Sequence, residues 1–329
     1  MALLPKIPIA PQLRFMSHRR LFFGFSTALM LASILVFLVN GLNFGVDFRG
    51  GILIEVRTAP GIGISDLRAR VSGLDVGEVT LQEFGDPEDI LVNVARQEGE
   101  EGEQIKAINT VKEALGDSVA EYRRVEFVGP KVGEELKTAG LLATLLALVG
   151  IGAYIGFRFE WHYAAAALIA LAHDVISTIG FFSLTQVEFN LATLAAVLTV
   201  AGYSINDTVV IFDRVREMVR RYKKMPVDQL LDMSINRTLS RTVLTSFTTL
   251  LALFALFIFG GEVIRGFTMG LIWGIVIGTY SSVGLAVPLL SLTNLRPGAK
   301  RARGGAKDAI EDASDGDGED ENLPDKAPA

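Results

Sequence analysis

Residues 21–39 read LFFGFSTALMLASILVFLV, nineteen residues without a charge. At 1.5 Å per residue, a helix of this length is about 28 Å long, close to the roughly 30 Å hydrocarbon core of a bilayer. Basic residues precede the run, as in a signal peptide, but the run exceeds the ~7–15 apolar residues of that class and no small-residue cleavage pattern follows it. The stretch therefore predicts an uncleaved transmembrane anchor.

Five further segments are long and apolar enough to be membrane spans. They are residues 139–157, 163–185, 189–212, 242–259 and 267–290. Half of the 329 residues are hydrophobic and only 21% are charged, and the mean hydropathy is +0.39. These values exclude a wholly soluble protein and a disordered one. The predicted fold class is a polytopic α-helical membrane protein with six transmembrane helices.

Lysine and arginine are concentrated at alternate ends of the predicted spans. The short connections 186–188 and 260–266 hold a single basic residue between them, whereas three other segments are strongly basic: 1–20, 213–241 and the start of 291–329. The positive-inside rule then places both termini in the cytoplasm. Residues 1–20 are predicted to be a cytoplasmic arm, and residues 291–329 a disordered acidic cytoplasmic tail.

The insert between the first two spans, residues 40–138, is predicted to lie on the outer face. It shows alternating strand patterns and two helical patterns, in the order strand–helix–strand–strand–helix–strand, at residues 50–58, 65–74, 77–84, 90–97, 102–117 and 118–129. This order is that of a ferredoxin-like α+β domain. The insert contains no histidine and no cysteine. We therefore interpret it as a binding or mechanical module.

Several classes of chemistry are excluded by composition. The chain has no cysteine, so disulfides, cysteine–zinc sites and thiol catalysis are ruled out. No cluster has metal-ligand spacing, and neither a metal nor a cofactor nor an enzymatic activity is expected. No basic patch large enough to suggest nucleic-acid binding occurs outside the membrane-flanking segment 213–241, so the lipid bilayer rather than nucleic acid is the expected surface.

The last span carries glycine at every fourth position, at Gly266, Gly270, Gly274 and Gly278. This spacing puts the glycines on one helix face, where another helix can approach closely. Two interpretations are open. The face packs inside the bundle, or it contacts a second membrane subunit.

Ionisable residues inside predicted spans are the strongest functional signals. His173 and Asp174 lie in the third span, Asp207 lies in the fourth beside Asn206 and near Tyr203, and Arg241 precedes the fifth. A charge at mid-bilayer costs at least about 2.5–3.5 kcal/mol, so each needs a reason. Counted from the predicted ends, Asp174 lies about 16 Å deep and Asp207 about 8 Å deep.

The depths favour a pairing of Asp207 with Arg241, and leave open whether Asp174 and Asp207 share a level. Asp207 is either a carboxyl bonded to Asn206 or Tyr203 that joins helices, or a proton carrier whose charge an approaching and withdrawing arginine controls. Arg241 is either that arginine or a positive-inside anchor. His173 fits a satisfied interior histidine, and Asp174 fits either role.

Five motifs are distinctive: FGVDFRGG (44–51), VGPKVGEEL (128–136), AHDV (172–175), AGYSINDTVVIFDRVRE (201–217) and SINRTLSRTVLTS (234–246). With them the chain resembles the SecF branch of the SecD/SecF family of protein-export membrane proteins, relatives of the RND transporters. This resemblance runs from the first span to the last. It implies that Asp207 and Arg241 take part in proton conduction. It also marks Asp47, Gly50 and Gly51 as the motif that opens the periplasmic domain.

The resemblance further implies a location in a bacterial inner membrane and a role in export. The proton-motive force would draw exported polypeptide outward, with SecD, SecYEG and YajC as partners. Gly129, Pro130 and Gly133, just before the second span, are either a plain turn or a hinge for the insert.

Three other functions are weighed against export. An intramembrane aspartyl protease would need Asp174 and Asp207 close enough to share a proton. A proton-driven small-molecule exporter of the RND type would use the same carboxyls, but the single small insert leaves no room for a large porter region. A structural scaffold would not need Asp207 at all.

Overall fold

The computed structural model describes residues 13–97, 101–293 and 295. Its helices and strands in chain order are α1 (Arg19–Asn40), α2 (Val46–Arg49), β1 (Gly51–Thr58), α3 (Ile64–Val71), β2 (Val79–Phe84), β3 (Asp86–Val94), α4 (Glu101–Leu115), β4 (Val119–Val128), α5 (Pro130–Arg158), α6 (Trp161–Thr185), α7 (Leu191–Arg221), α8 (Val227–Phe259), α9 (Arg265–Ser281) and α10 (Val287–Leu290). Most of the predicted acidic tail and the first twelve residues of the predicted arm lie outside the described residues.

Six helical segments among the described residues are long and apolar enough to cross a membrane. They are Met16–Asn40, Val132–Arg158, Trp161–Thr185, Leu191–Arg221, Val227–Phe259 and Arg265–Leu290. Helices α6 and α9 are largely buried inside the bundle, whereas α1, α5 and α8 expose most of their apolar windows. The predicted fold class is confirmed, with α6, α7 and α9 at the centre.

Helices α7 and α8 are longer than their predicted spans. The segment 213–241, which was predicted as a connecting loop, is helical except for the turn between Arg221 and Val227. The reason is a second apolar stripe: Val215 and Met218 on α7, and Leu230 on α8, are fully buried. The charged residues occupy the opposite helix faces, so hydropathy alone ends the spans too early.

The insert forms one four-stranded antiparallel sheet in the order β2-β3-β1-β4, with α3 and α4 packed on one face. Ile52, Ile54 and Val56 of β1 point into this core and are fully buried. Gly85, at φ +85°, makes the tight turn between β2 and β3, where a residue with a side chain would be strained. The ferredoxin-like order is confirmed.

A buried carboxylate joins three strands toward one end of the sheet. Asp89 accepts hydrogen bonds from Arg57 Nε (2.8 Å) and Arg57 Nη2 (3.0 Å) and from Arg123 Nη1 (2.7 Å). The Arg57 hydrogen bonds, followed by the charge of Arg123, lower the pKa of Asp89. This carboxylate joins three strands, since Arg57 belongs to β1 and Arg123 to β4.

Asp89→Asn is expected to speed amide hydrogen exchange in the insert about tenfold in the full-length chain, because charge-assisted bonds are lost from a buried site. A lowered native pKa stabilises the fold above the unfolded-state pKa, and this contribution disappears as the pH falls through the native value. Exchange protection in the wild type should therefore decrease on acidification, and the variant should lack that part of the decrease. Asp86→Asn is the matched control, because Asp86 is exposed and lies 3.5 Å from Arg57. Equal effects of both changes would contradict the prediction.

The glycine face of α9 packs inside the bundle. A Cβ at Gly274 would overlap Val200 of α7, one at Gly270 would lie 2.5 Å from the Phe182 ring of α6, and one at Gly278 would lie 3.0 Å from Ser204 Cβ. Close helix contact needs small residues at these positions. Of the two interpretations of the stripe, packing within the chain is confirmed.

Candidate functional site in the membrane helices

Asp174 is the centre of a buried polar cluster that joins three helices. Its Oδ2 accepts hydrogen bonds from Ser204 Oγ of α7 at 2.5 Å and from Ser281 Oγ of α9 at 2.6 Å. Its Oδ1 lies 2.9 Å from His173 Nδ1. His173 and Asp174 are fully buried. Both carboxylate oxygens have partners, so this side chain is well satisfied where it stands.

A second polar layer lies next to this cluster. Thr208 Oγ1 and Ser282 Oγ are 3.0 Å apart and link α7 to the last span. Ser282 also begins a π-helical turn, Ser282–Ala286, which interrupts the last span between α9 and α10. Such turns widen the backbone ladder and are frequent near functional sites. The polar layer therefore lies where the last span departs from regular α-helix.

Asp207 differs from Asp174 in having an oxygen without a partner. The side chain is only 4% exposed, and within the described part of the chain its Oδ2 has no hydrogen-bond partner. The expected partners Asn206 and Tyr203 do not serve it: Asn206 is exposed, and the Tyr203 hydroxyl donates to Thr249 Oγ1 of α8 at 3.2 Å. The alternative of a carboxyl bonded to these two residues is therefore not supported, because Asn206 points to another face of α7 and the Tyr203 hydroxyl is bonded to α8 instead.

Arg241 lies on α8 and faces an open cavity of about 550 Å³ between the ends of α7 and α8. Its side chain is exposed, and no ion pair within 4 Å joins it to Asp207 in the residues described. Val210, which is three residues from Asp207 on α7, lines the same cavity. The structure thus places Asp207 and Arg241 in the same region, but the expected ion pair between them is not formed.

The two carboxylates lie closer in depth than the sequence count indicated. Asp174 is bonded to Ser204, which is three residues from Asp207 on α7. This spacing corresponds to about 4.5 Å along the helix axis, whereas the predicted depths of the two carboxylates differed by about 8 Å. The count was wrong because it took residue 212 as the end of a helix that continues to Arg221. The carboxyls still do not share a proton, since both oxygens of Asp174 are bonded elsewhere. This arrangement does not fit an aspartyl protease.

The motif at 44–51 joins the insert to the membrane helices. Asp47 Oδ2 accepts a hydrogen bond from the Leu191 backbone N–H at 2.9 Å, so it satisfies a free donor at the first turn of α7. Phe44 and Phe189 form a short parallel bridge, in which Gly45 N donates to Phe189 O at 3.0 Å. The motif is therefore attached to the same helix that carries Asp207.

The two glycines of the motif are required by backbone geometry. Gly50 and Gly51 have φ of +72° and +122°, and a Cβ at Gly51 would lie 2.8 Å from Val94 O. They turn the chain from α2 into β1, where a side chain would both strain the backbone and collide with β3.

The suspected hinge residues have different surroundings. Gly129 is the only residue between β4 and α5, and Pro130 is the first residue of α5, a position that suits its fixed φ. A Cβ at Gly133 would lie 3.1 Å from Gly50 N and 3.2 Å from Phe48 O. Gly133 is therefore a close-contact position, and of the three only Gly129 stands between two rigid elements.

Family models match most of the length just described. The model for the SecD/SecF GG motif covers residues 35–62, and the model for the C-terminal region of the protein export membrane proteins SecD/SecF covers residues 107–296. The chain belongs to the SecD/SecF family. The GG motif is the segment that holds Asp47, Gly50 and Gly51, and the C-terminal region contains both membrane carboxylates.

Relatives that match over most of their length place the chain among SecF subunits of the protein translocase. It is 45% identical over 281 residues to protein translocase subunit SecF of Rickettsia prowazekii, covering 84% of this chain and 90% of that one. It is 46% identical over 272 residues to the SecF subunit of Cereibacter sphaeroides, covering 80% and 84%. Such a subunit is a transport component.

Solved structures of SecDF have the same fold. The crystal structure of SecDF from Thermus thermophilus, a translocon-associated membrane protein, matches with a TM-score of 0.79 at 34% identity, covering 89% of this chain and 40% of that one. A SecDF structure in a super-membrane-facing form matches with a TM-score of 0.63 at 32% identity, covering 94% and 41%. The chain therefore spans about two fifths of the SecDF polypeptide.

Sequence reasoning missed the serines that satisfy Asp174. Ser204 lies within the fourth-span motif and Ser281 in the last span, and both are buried. Serine inside a span is common and carries little signal alone. The sequence offered one clue: Ser204 precedes Asp207 by three residues, so its hydroxyl lies on the same side of α7 as that motif carboxyl.

Proposed function

We propose that this chain is the SecF-type part of a proton-driven protein-export unit, and that it works with a SecD partner to draw exported polypeptide across the membrane. One observation carries the proposal: Asp207 is a buried carboxyl with an unpartnered oxygen, about one helical turn from the cavity that Arg241 lines. A carboxyl in that state can exchange a proton without first breaking a hydrogen-bonded network.

The proposed proton step uses Asp207 and Arg241 as a pair that opens and closes. Arg241 lies at an open cavity on a long, flexible side chain, so it can reach toward Asp207 or withdraw. Its approach favours the ionised carboxylate, and its withdrawal favours the protonated form. Asp174 and His173 then hold α6, α7 and α9 together, with Asn206 and Tyr203 outside the path. This division of roles is supported by the hydrogen bonds: both oxygens of Asp174 have partners, whereas Oδ2 of Asp207 has none among the described residues.

The proposed coupling runs along α7. Its first turn is attached to Asp47 of the insert, and Asp207 lies sixteen residues further along the same helix. A shift of α7 that follows protonation would therefore pull on the insert. One elementary charge crossing 100 mV supplies about 2.3 kcal/mol, enough to bias a two-state element more than tenfold. At nearly equal identity, the lower TM-score of the super-membrane-facing SecDF form supports a fold whose parts change position.

We propose that the chain resides in the inner membrane of a bacterium, with both termini in the cytoplasm and the insert at the periplasm. The basic residues at the helix ends opposite the insert support this orientation. The domain boundaries follow it: a cytoplasmic arm at 1–20, the periplasmic insert at 40–138 and an acidic tail at 291–329. The proposed partners are SecD, the SecYEG channel, YajC and the exported chain.

The experiment that tests the proposal is release of a trapped preprotein from membrane vesicles. The vesicles contain this chain with its SecD partner, and release is timed with and without an imposed proton gradient. The proposal requires that the gradient accelerate release only when the chain is present. Gradient-driven efflux of a dye without any effect on preprotein would favour the small-molecule exporter instead.

Removing the attachment between the insert and α7 is expected to weaken coupling. Asp47→Ala should lower the gradient-stimulated release rate about fivefold, because a lost helix cap costs ~1 kcal/mol at the point where α7 holds the insert. Asp47→Asn retains an acceptor and should lose less. The measurement is the vesicle release assay.

Asp66→Ala is the matched control for the Asp47 prediction. Asp66 Oδ2 accepts a bond from Gly63 N at 3.0 Å, so the change removes a comparable cap within the insert itself. Coupling should survive that change. Unchanged release in Asp47→Ala would show that the insert is driven through another contact.

A further inference from the structure

The ends of α5 and α7 opposite the insert form a groove of about 500 Å³, here called the arginine groove. It is lined by Arg158, Asp213, Arg216, Glu217, Arg220 and Arg221. Four arginines against two carboxylates leave two positive charges in one small concave site. Asp213 and Glu217 also line the cavity that Arg241 faces, whereas the four arginines of the groove do not.

The two acidic residues of the groove are already paired. Asp213 Oδ1 accepts a hydrogen bond from Arg158 Nη2 at 3.1 Å. Glu217 is bonded by Arg214, which lies outside the groove. Arg216 and Arg220 have no carboxylate within 4 Å among residues 13–97, 101–293 and 295. The groove therefore carries positive charge that the described residues do not neutralise.

Arg216 is not fully satisfied by its neighbours in the described structure. Its Nε is buried, and no described residue accepts a hydrogen bond from it. A buried donor without an acceptor costs about 1–3 kcal/mol, which favours any rearrangement of the Arg216 side chain that brings an acceptor to its guanidinium. The guanidinium fork matches phosphate oxygens in shape and charge.

The surroundings of the groove indicate where such a phosphate comes from. Phe157, beside Arg158 at the end of α5, is 96% exposed, and Trp161 at the start of α6 is 77% exposed. Exposed tryptophan at a helix end is typical of the membrane–water interface. The groove therefore lies at headgroup level with apolar surface next to it.

We propose that the arginine groove binds the phosphate of an anionic phospholipid headgroup. Arg216 and Arg220 hold the phosphate oxygens, Arg158 and Arg221 add positive charge at the rim, and the acyl chains lie along the apolar surface that includes Phe157. Basic pockets between membrane helices are known to hold anionic headgroups of this kind. The site is separate from the proposed export function and stands without it.

The test is lipid binding to the purified full-length chain, measured by native mass spectrometry with palmitoyl-oleoyl phosphatidylglycerol and, separately, palmitoyl-oleoyl phosphatidylcholine. Arg216→Gln with Arg220→Gln is expected to weaken phosphatidylglycerol binding about tenfold, since each arginine near the headgroups adds attraction. Phosphatidylcholine binding should stay unchanged. The matched control is Lys223→Gln with Lys224→Gln, which removes the same charge from exposed positions outside the groove and should weaken binding less than about threefold.

Three results would overturn the proposal. Equal loss in the arginine and lysine variants would mean general surface attraction. Displacement of the lipid by millimolar inorganic phosphate would assign the site to a free anion. Unchanged phosphatidylglycerol binding in the arginine variant, together with loss of a co-purifying translocase subunit, would assign the arginines to a protein interface. Thermal unfolding of each variant identifies any that fail to fold, and Arg220→Gln alone then replaces the double variant and is expected to weaken phosphatidylglycerol binding in the same direction.

Discussion

Replacing Asp207 with asparagine is expected to abolish the acceleration of preprotein release by a proton gradient. Asparagine has nearly the same shape as aspartate, so the packing of α7 should hold, but it cannot gain or lose a proton. Burying a neutral amide also costs less than burying an unpaired carboxylate, so the variant should unfold at the same temperature as the wild type or higher. The measurement is the ratio of release rates with and without the gradient, which should fall to about one.

The Asp207 prediction is checked against two further variants. Asp228→Asn makes the same change in an exposed carboxyl that pairs with Arg19 at 3.0 Å, and it should leave the ratio unchanged because exposed pairs contribute little. Asp174→Asn disturbs the three-helix cluster and should lower thermal stability. If Asp207→Asn responds to the gradient like the wild type, the assigned proton role fails. A lost response in Asp174→Asn alone would then move that role to Asp174.

Enlarging Gly274 is expected to destabilise the membrane bundle strongly. A Cβ there would overlap both methyl carbons of Val200 and lie 2.9 Å from its Cβ. Val200 is β-branched and fully packed, so it cannot turn away. Gly274→Ala should cost about 1–3 kcal/mol, and Gly274→Leu should prevent α7 and α9 from packing. The measurement is thermal unfolding followed by size-exclusion chromatography in detergent.

Gly150→Ala is the control for the Gly274 prediction. Gly150 lies on α5, and a Cβ there would meet no atom within 4 Å in the described structure. Alanine has a higher helix propensity than glycine, so this change should be neutral or slightly stabilising. Similar melting temperatures for the Gly274 and Gly150 variants would show that α7 and α9 are not held at the distance seen here.

The parts of the fold that depend on local periodicity could be predicted from the sequence. Spans such as 21–39 can be recognised by their length and by the absence of charge, because the thickness of the bilayer core fixes how many apolar residues a helix needs. The alternation of Ile52, Ile54 and Val56 fixes which face of β1 is buried. The glycine spacing in α9 likewise identified a close-packing face, but only the structure shows which helices lie against it.

What the sequence could not show depends on contacts between distant segments. The extension of α7 to Arg221 is stabilised by packing against α8, and its charged residues hide that packing from a hydropathy reading. Asp174 is satisfied by Ser204 and Ser281, thirty and 107 residues away in the chain. Whether Arg241 touches Asp207 is decided by the rotamer of a long side chain, which no motif encodes.

A single residue, Gly129, joins β4 of the insert to the membrane helix α5. β4 is ten residues long, which is about 33 Å of extended strand, and only Gly129 separates it from a membrane helix. If Gly129 serves as the hinge considered in the sequence analysis, β4 and α5 would be the two arms of one lever. A tilt of about 10° moves the far end by ~6 Å, roughly two residues of extended polypeptide. Each proton-driven stroke would then advance an exported chain by a short, countable number of residues, and long translocation would require many strokes.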